Sequence, residues 1–271
     1  MRALVLVFAL LFADPALATA IGITNEVDIG RTSVWSIDPV ARTMTPLSSA
    51  GLLRMRGIAR RSDGVLFAIG QRDVFVPEYQ TYFTYNYLAQ LDSFTGVAQP
   101  SVLVSDSFHG ITFSPSGTLF ALNKRVGSTS ALWTIDEDTG AAAYVGETSF
   151  VSVATLVFAP TGQLYAWDGF KGLLQIDPLT GSATRITQGA DNLVQINALS
   201  FAPGGGLVGF GREVFDIDLG TGVATSRGGF TNAPATWGGI RGVASLPEPT
   251  TQGLMALSLL AFAATRLRRA T

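Results

Sequence analysis

Hydrophobic residues in this chain fall in short runs separated by polar turns, and the runs recur with a period. One pattern, an apolar run closing on Ile or Leu and then Asp, occurs five times: Val34-Trp35-Ser36-Ile37-Asp38, Leu88-Ala89-Gln90-Leu91-Asp92, Leu132-Trp133-Thr134-Ile135-Asp136, Leu174-Gln175-Ile176-Asp177 and Phe215-Asp216-Ile217-Asp218. The aspartates stand 54, 44, 41 and 41 residues apart, and the turn after four of them ends in Thr-Gly. A second pattern interleaves with the first: Gly57-Ile58-Ala59 through Asp63-Gly64, Gly110-Ile111-Thr112-Phe113 through Ser116-Gly117, Thr155-Leu156-Val157-Phe158 through Thr161-Gly162, and Ala198-Leu199-Ser200-Phe201 through Gly204-Gly205. An apolar strand such as Leu119-Phe120-Ala121-Leu122 or Leu164-Tyr165-Ala166-Trp167 follows each copy.

Runs this short, split by Pro-x-Gly or Asp-x-x-Thr-Gly turns that need a preset or left-handed backbone, read as β-hairpins. Two hairpins per period place four strands in about 41 to 45 residues, the size of one β-propeller blade. The Asp hairpin is present five times, the second hairpin, which turns on Pro-x-Gly in three of its copies, only four. The missing hairpin is divided between the termini: Arg241-Gly242-Val243-Ala244-Ser245-Leu246-Pro247 lines up with the segment from His109 to Pro115, and apolar residues 20–24 precede the first Asp hairpin. Pairing the two completes a fifth blade and leaves no open sheet edge, the standing aggregation hazard of β proteins. The expectation is an all-β, five-bladed β-propeller over residues 21–246, closed by its N- and C-terminal strands, with six blades or an open two-sheet fold as fallbacks.

The two ends outside that domain carry patterns of their own. Residues 1–20 run from Arg2 through an apolar core to Ala18-Thr19-Ala20, the order of a cleavable secretory signal peptide. Asp14 and Pro15 interrupt the apolar core, which is too short for a helix crossing about 30 Å of hydrocarbon. After the last strand come Pro247-Glu248-Pro249, an apolar stretch over 254–264, and Arg266, Arg268 and Arg269. In that order, residues 247–271 resemble the PEP-CTERM sorting segment of bacterial exported proteins. The resemblance implies a Gram-negative host that makes exopolysaccharide. It also implies recognition of Pro247, Glu248 and Pro249 by an exosortase, a membrane-embedded cysteine transpeptidase. A hydrophobic sorting helix would anchor the chain transiently in the inner membrane before delivery to the cell surface or the extracellular space. Arginines flanking an apolar segment stay cytoplasmic, which leaves the propeller outside. The apolar stretch is shorter than a full span of about 20 residues, so its hold on the membrane is expected to be weak.

Composition narrows the function classes. Cysteine is absent although the expected destination is oxidising, so burial and not disulfides must hold the domain together. Charged residues make up 14 % of the chain and the net charge is −2, with no basic run in its middle, which removes the clustered Lys and Arg that nucleic-acid binding requires. His109 is the sole histidine, so with no cysteine an ordinary zinc or copper ligand set is missing. No Gly-x-Ser-x-Gly elbow supports a serine triad either, and no metal or cofactor is expected.

Aligned inner strands bring Arg56, His109, Ala154, Asn197 and Arg241 into register near one mouth of the central channel. Two guanidiniums, an imidazole and an amide could hold a carboxylate or sugar acid by charge-assisted hydrogen bonds, or could simply solvate the rim. The repeated Asp38, Asp92, Asp136, Asp177 and Asp218 start turns, where an Asp side chain accepts from amides two residues on, so they read as turn caps and not as calcium ligands. The stretch 70–87 is longer than its counterparts and carries Phe75, Tyr79, Tyr82, Phe83, Tyr85 and Tyr87. It reads either as an aromatic loop, with Tyr79, Tyr82, Phe83 and Tyr85 stacking on sugars or partners, or as an extended hairpin packed on the blade edge. Together these features lead to the expectation of an exported, surface- or envelope-sorted propeller that is not an enzyme and serves as a binding or matrix protein linked to polysaccharide, exopolysaccharide or biofilm. The alternative is a propeller hydrolase or lyase, lactonase-like or polysaccharide-lyase-like, that uses the channel-mouth ring.

Overall fold

The computed structural model describes residues 20–26, 31–124, 129–188, 194–234 and 237–246, and over them the chain is a succession of β-strands. The expected signal peptide and sorting segment lie outside the described residues, apart from Ala20. Three strands open the chain: β1 (Ala20–Glu26), β2 (Arg31–Asp38) and the long β3 (Thr43–Arg60). Next come β4 (Leu66–Val76), β5 (Thr81–Leu91) and β6 (Ala98–Leu103). Three four-stranded antiparallel sheets follow: β7 (Phe108–Phe113) to β10 (Ala142–Glu147), β11 (Val153–Phe158) to β14 (Ala183–Arg185), and β15 (Ala198–Phe201) to β18 (Ala224–Gly229). The final strand is β19 (Trp237–Ser245).

The first six strands and the last form one sheet in the order β19-β1-β2-β3-β4-β5-β6, which is two blades sharing a strand. The early half of β3 pairs with β2 as the outer strand of one blade, and its later half pairs with β4 as the inner strand of the next. Counted this way the fold is a five-bladed β-propeller. Its closure follows the expected register: Ala20 lies opposite Ser245, Ile21 opposite Ala244 and Gly22 opposite Val243. The inner strands β3, β7, β11, β15 and β19 are neighbours in a ring around the channel.

Alternation along each strand sends apolar side chains to both faces of a blade, and adjacent blades bury them against one another. Five clusters result, one for each junction. Tyr165, Trp167 and Leu173 of one blade meet Leu199, Leu207 and Phe215 of the next. The cluster that seals the ring sets Ala20, Ile37 and Ile240 against Phe210 and Val214. The Thr-Gly turns lock the junctions from outside. Gly140 holds φ at 74°, and a Cβ there would lie 2.0 Å from the Leu103 carbonyl oxygen of the preceding blade, so only glycine fits both the backbone and the contact. The long first period is explained by the β4–β5 hairpin, whose register continues from Leu66 opposite Leu91 out to Val76 opposite Thr81.

Candidate functional site

One mouth of the channel is a cavity of about 470 Å³ lined by Arg54, Arg56, His109, Ser152, Val153, Ala154, Asn197 and Arg241. All five positions aligned from the repeat meet there, because they stand at the same level of the five inner strands. Arg54 was not foreseen. It lies two residues before Arg56. What brings it to the cavity is a register shift in β3 between Leu53 and Gly57, with Arg54 in the left-handed region at φ 48°. A bulge of this kind re-aims side chains at a local backbone cost of about 1–2 kcal/mol for a non-glycine residue.

Inside the cavity Arg56 Nη1 donates to His109 Nε2. Guanidinium has no acceptor, so Nε2 accepts and the proton of the neutral ring sits on Nδ1. Burial first, then the neighbouring Arg54 and Arg241 guanidiniums, pull Arg56 below the ordinary arginine value. No Asp or Glu is among the lining residues. The rim is braced from behind: Asp168, 1 % exposed at the end of β12 (Leu164–Asp168), accepts from the amides of Ser152, Phe170 and Lys171. Asn123, at the equivalent place on β8 (Leu119–Lys124), donates to Asp106 just ahead of the His109 strand. These partners hold the strand starts in place, as a site with a defined shape requires.

The repeated aspartates cap turns. Asp38 accepts from the amides of Val40 and Ala41, Asp92 from those of Phe94 and Thr95, Asp136 from those of Asp138 and Thr139, Asp177 from that of Leu179, and Asp218 from those of Gly220 and Thr221. Among the described residues no group of three His, Cys, Asp or Glu side chains is placed to hold a metal ion.

The 70–87 stretch is the extended hairpin of the two readings, tipped by a 3-10 turn, Pro77–Tyr79; Tyr87 packs half-buried on the blade core, yet the rings of Phe75, Tyr79, Tyr82, Phe83 and Tyr85 stay exposed. The four aromatics singled out do not share a face. Tyr82 pairs with Phe75 on one side at 5.2 Å between ring centroids, while Phe83 and Tyr85 point to the other side, where Tyr79 meets Phe83 at 5.6 Å.

No protein-family model matches the chain, and no curated protein does. Solved structures share its fold at low identity. A chain of the nidogen/laminin complex is 13 % identical, with 85 % of this chain and 99 % of that one covered and a TM-score of 0.55. TolB from Acinetobacter baumannii is 13 % identical with a TM-score of 0.49; 78 % of this chain matches 53 % of TolB, so the chain spans about half that protein's length. The periplasmic gluconolactonase PpgL from Pseudomonas aeruginosa is 18 % identical over 80 % of this chain and 69 % of its own, with a TM-score of 0.41. At such identities the likeness shows the fold alone.

The expectation of a non-enzymatic binding or matrix protein is corrected. Gluconolactonases and a sugar dehydrogenase stand among the matching propellers. The physical reason lies in the ring itself. Residues that merely solvate a rim spread their charges into water, whereas Arg56 is half-buried, bonds His109 and feels the charges of the exposed Arg54 and Arg241 around a defined cavity.

Proposed function

We propose that the chain is a propeller hydrolase of lactonase type, acting at the arginine-lined mouth on a sugar lactone whose product is a carboxylate. One observation carries this reading: three guanidiniums, an imidazole and an amide converge on a cavity of about 470 Å³ with no lining carboxylate. Arg56 is half-buried, and burial and the neighbouring exposed Arg54 and Arg241 disfavour its charge until an anion joins them, so the site favours any species in which negative charge develops. Lactone opening is such a reaction. An incoming carbonyl oxygen draws Arg56 off the imidazole and uncovers Nε2. His109 then takes a proton from water as the water oxygen bonds to the lactone carbon, and Arg56 with Asn197 holds the tetrahedral oxyanion. Collapse breaks the ring C–O bond, the imidazolium returns its proton to the leaving oxygen, and the new carboxylic acid loses its own proton to solvent, leaving a carboxylate that Arg54 and Arg241 retain. The test is hydrolysis of glucono-1,5-lactone followed by proton release. Loss of one oxyanion donor or of the base lowers kcat by roughly 100-fold or more, so Arg56→Ala and His109→Ala are expected to fall by that factor. A wild-type rate no faster than buffer sinks the reading.

The chain's ends support export and sorting. The tripartite order of residues 1–20 supports a signal peptide. The order Pro247-Glu248-Pro249, apolar segment, arginines supports handling by an exosortase and passage through the inner membrane to the surface. β19 ends at the mouth opposite the arginines, where Ser245 lines the second cavity, so a tail leaving there would face the arginine mouth away from the membrane. Deletion of residues 247–271 should move the protein from the membrane fraction to the soluble exported fraction. Unchanged partitioning would reject the sorting role.

A further inference from the structure

The β4–β5 hairpin rises from the same mouth as the arginine cavity, and one of its faces is a graded ladder. Three cross-strand pairs point to that face. Gln71 Nε2 donates to Asn86 Oδ1 at 3.1 Å, Thr84 Oγ1 donates to Asp73 Oδ1 at 2.6 Å, and Phe75 meets Tyr82 ring to ring at the outer end. Arg54 joins the ladder to the cavity: it lines the cavity and donates from Nη1 to Gln71 Oε1 at 3.2 Å. A small cleft lined by Arg54, Arg56, Gln71 and Asn86 continues from the cavity to the first rung. At about 3.4 Å per residue, the path from Gln71 to Phe75 is about 14 Å long, room for a few sugar units.

The order of chemistry along this path identifies an occupant. Amides and a hydroxyl–carboxylate pair suit the hydroxyls of neutral sugar rings, and an exposed aromatic pair, Phe75 at 45 % and Tyr82 at 66 % exposure, offers apolar faces for sugar stacking. Cation density lies only at the cavity end, and the single charge on the ladder face is the Asp73 carboxylate. A polyanionic glycan would meet that carboxylate; a neutral oligosaccharide with one acidic or lactone terminus would not conflict with it.

We infer that the hairpin is an extended glycan subsite and that the substrate is an oligosaccharide aldonolactone, its lactone terminus in the arginine cavity and its neutral units along the Gln71–Phe75 face. The inference rests on the lactonase reading for the cavity end and adds the chain length. It also places the protein after a reaction that oxidises C1 of an oligosaccharide, since that chemistry supplies such a lactone.

Calorimetric titration of the full chain with gluconate, cellobionate and cellotetraonate, stable products of such lactones, tests this directly. Affinity is expected to rise with length by roughly tenfold from gluconate to cellotetraonate. Phe75→Ala with Tyr82→Ala should remove that rise and leave gluconate binding unchanged, and Tyr82→Phe should restore most of it. Both positions are solvent-exposed, so the variants are expected to fold. Equal affinity across the three ligands overturns the subsite while leaving the cavity reading intact. Length-dependent binding with no gluconate binding and no effect of Arg56→Ala supports the subsite and overturns the cavity reading. Binding of none of the three overturns both.

Discussion

The two mouths of the channel are made from the same five inner strands and enclose cavities of similar size, about 470 and 500 Å³. Their linings differ in kind. At the strand starts stand Arg54, Arg56, His109, Asn197 and Arg241, none of which recurs from blade to blade in its residue type except arginine. At the strand ends stand Phe113, Phe158 and Phe201 with Pro115 and Pro160, which are the repeat itself: the residues that finish an inner strand and open its turn. One mouth is shaped by what every blade needs in order to fold. The other is lined by positions where folding leaves the choice of residue open, and there charge is concentrated at an energetic cost. Side chains that burden the fold without helping it are where function is sought.

The largest expected effect breaks the contrast in activity. Arg56→Ala or His109→Ala should lower lactone hydrolysis by roughly 100-fold or more, while Pro115→Ala at the opposite mouth should stay within about twofold. Equal losses at both mouths, read by proton release, would mean that the charged end is not the reacting one. Next comes the closure that makes both mouths rings. Ile240 is fully buried in the cluster that joins the last strand to the first blade. Ile240→Ala should cost about 2–5 kcal/mol in urea unfolding, with slope m unchanged if the propeller remains one cooperative unit.

A smaller effect separates strain from use. Arg54→Gly removes the left-handed strain at φ 48° and should raise stability by up to about 1 kcal/mol while weakening gluconate binding several-fold. A variant that gains stability with no loss of binding would remove Arg54 from the site. The smallest effect concerns the turns that recur in every blade. Asp92 is held below the ordinary carboxylate range chiefly by the Thr95 amide, Asp136 and Asp218 by the Thr139 and Thr221 hydroxyls, and Asp177 by the Leu179 amide. The unfolded chain binds these protons more readily than the folded one. Their contribution is therefore complete above the ordinary range and is lost as pH falls through the lower folded values. Acid scans of Tm between pH 5 and 2 should flatten slightly in Asp136→Asn, and an unchanged slope would exclude that carboxylate from acid sensitivity.

Most of this frame is legible in the sequence. Five Asp hairpins against four copies of the second hairpin are enough to place residues 20–24 beside Arg241 and its successors, because an unpaired strand edge has few other solutions. The same alignment places Arg56, His109, Asn197 and Arg241 at one level. It misses Arg54, since a bulge between Leu53 and Gly57 leaves no mark in the hydrophobic pattern. The sharing of β3 by two blades is hidden for the same reason: nothing in the hydrophobic pattern of this 18-residue strand marks where its pairing passes from β2 to β4. For the 70–87 stretch, the number of aromatics was visible but not which face each takes, because hairpin register depends on the turn at Pro77–Tyr79.

The repeat and its period, which are local properties of the sequence, determined the number of blades, the closing strand pair and the level at which each polar residue stands. Only the tertiary structure decided that Arg56 turns onto a histidine 53 residues away, that Arg54 joins them, and that the hairpin ladder begins where their cavity ends. Those contacts run between blades. They depend on the curvature and packing of a closed ring, which no single period of the sequence contains.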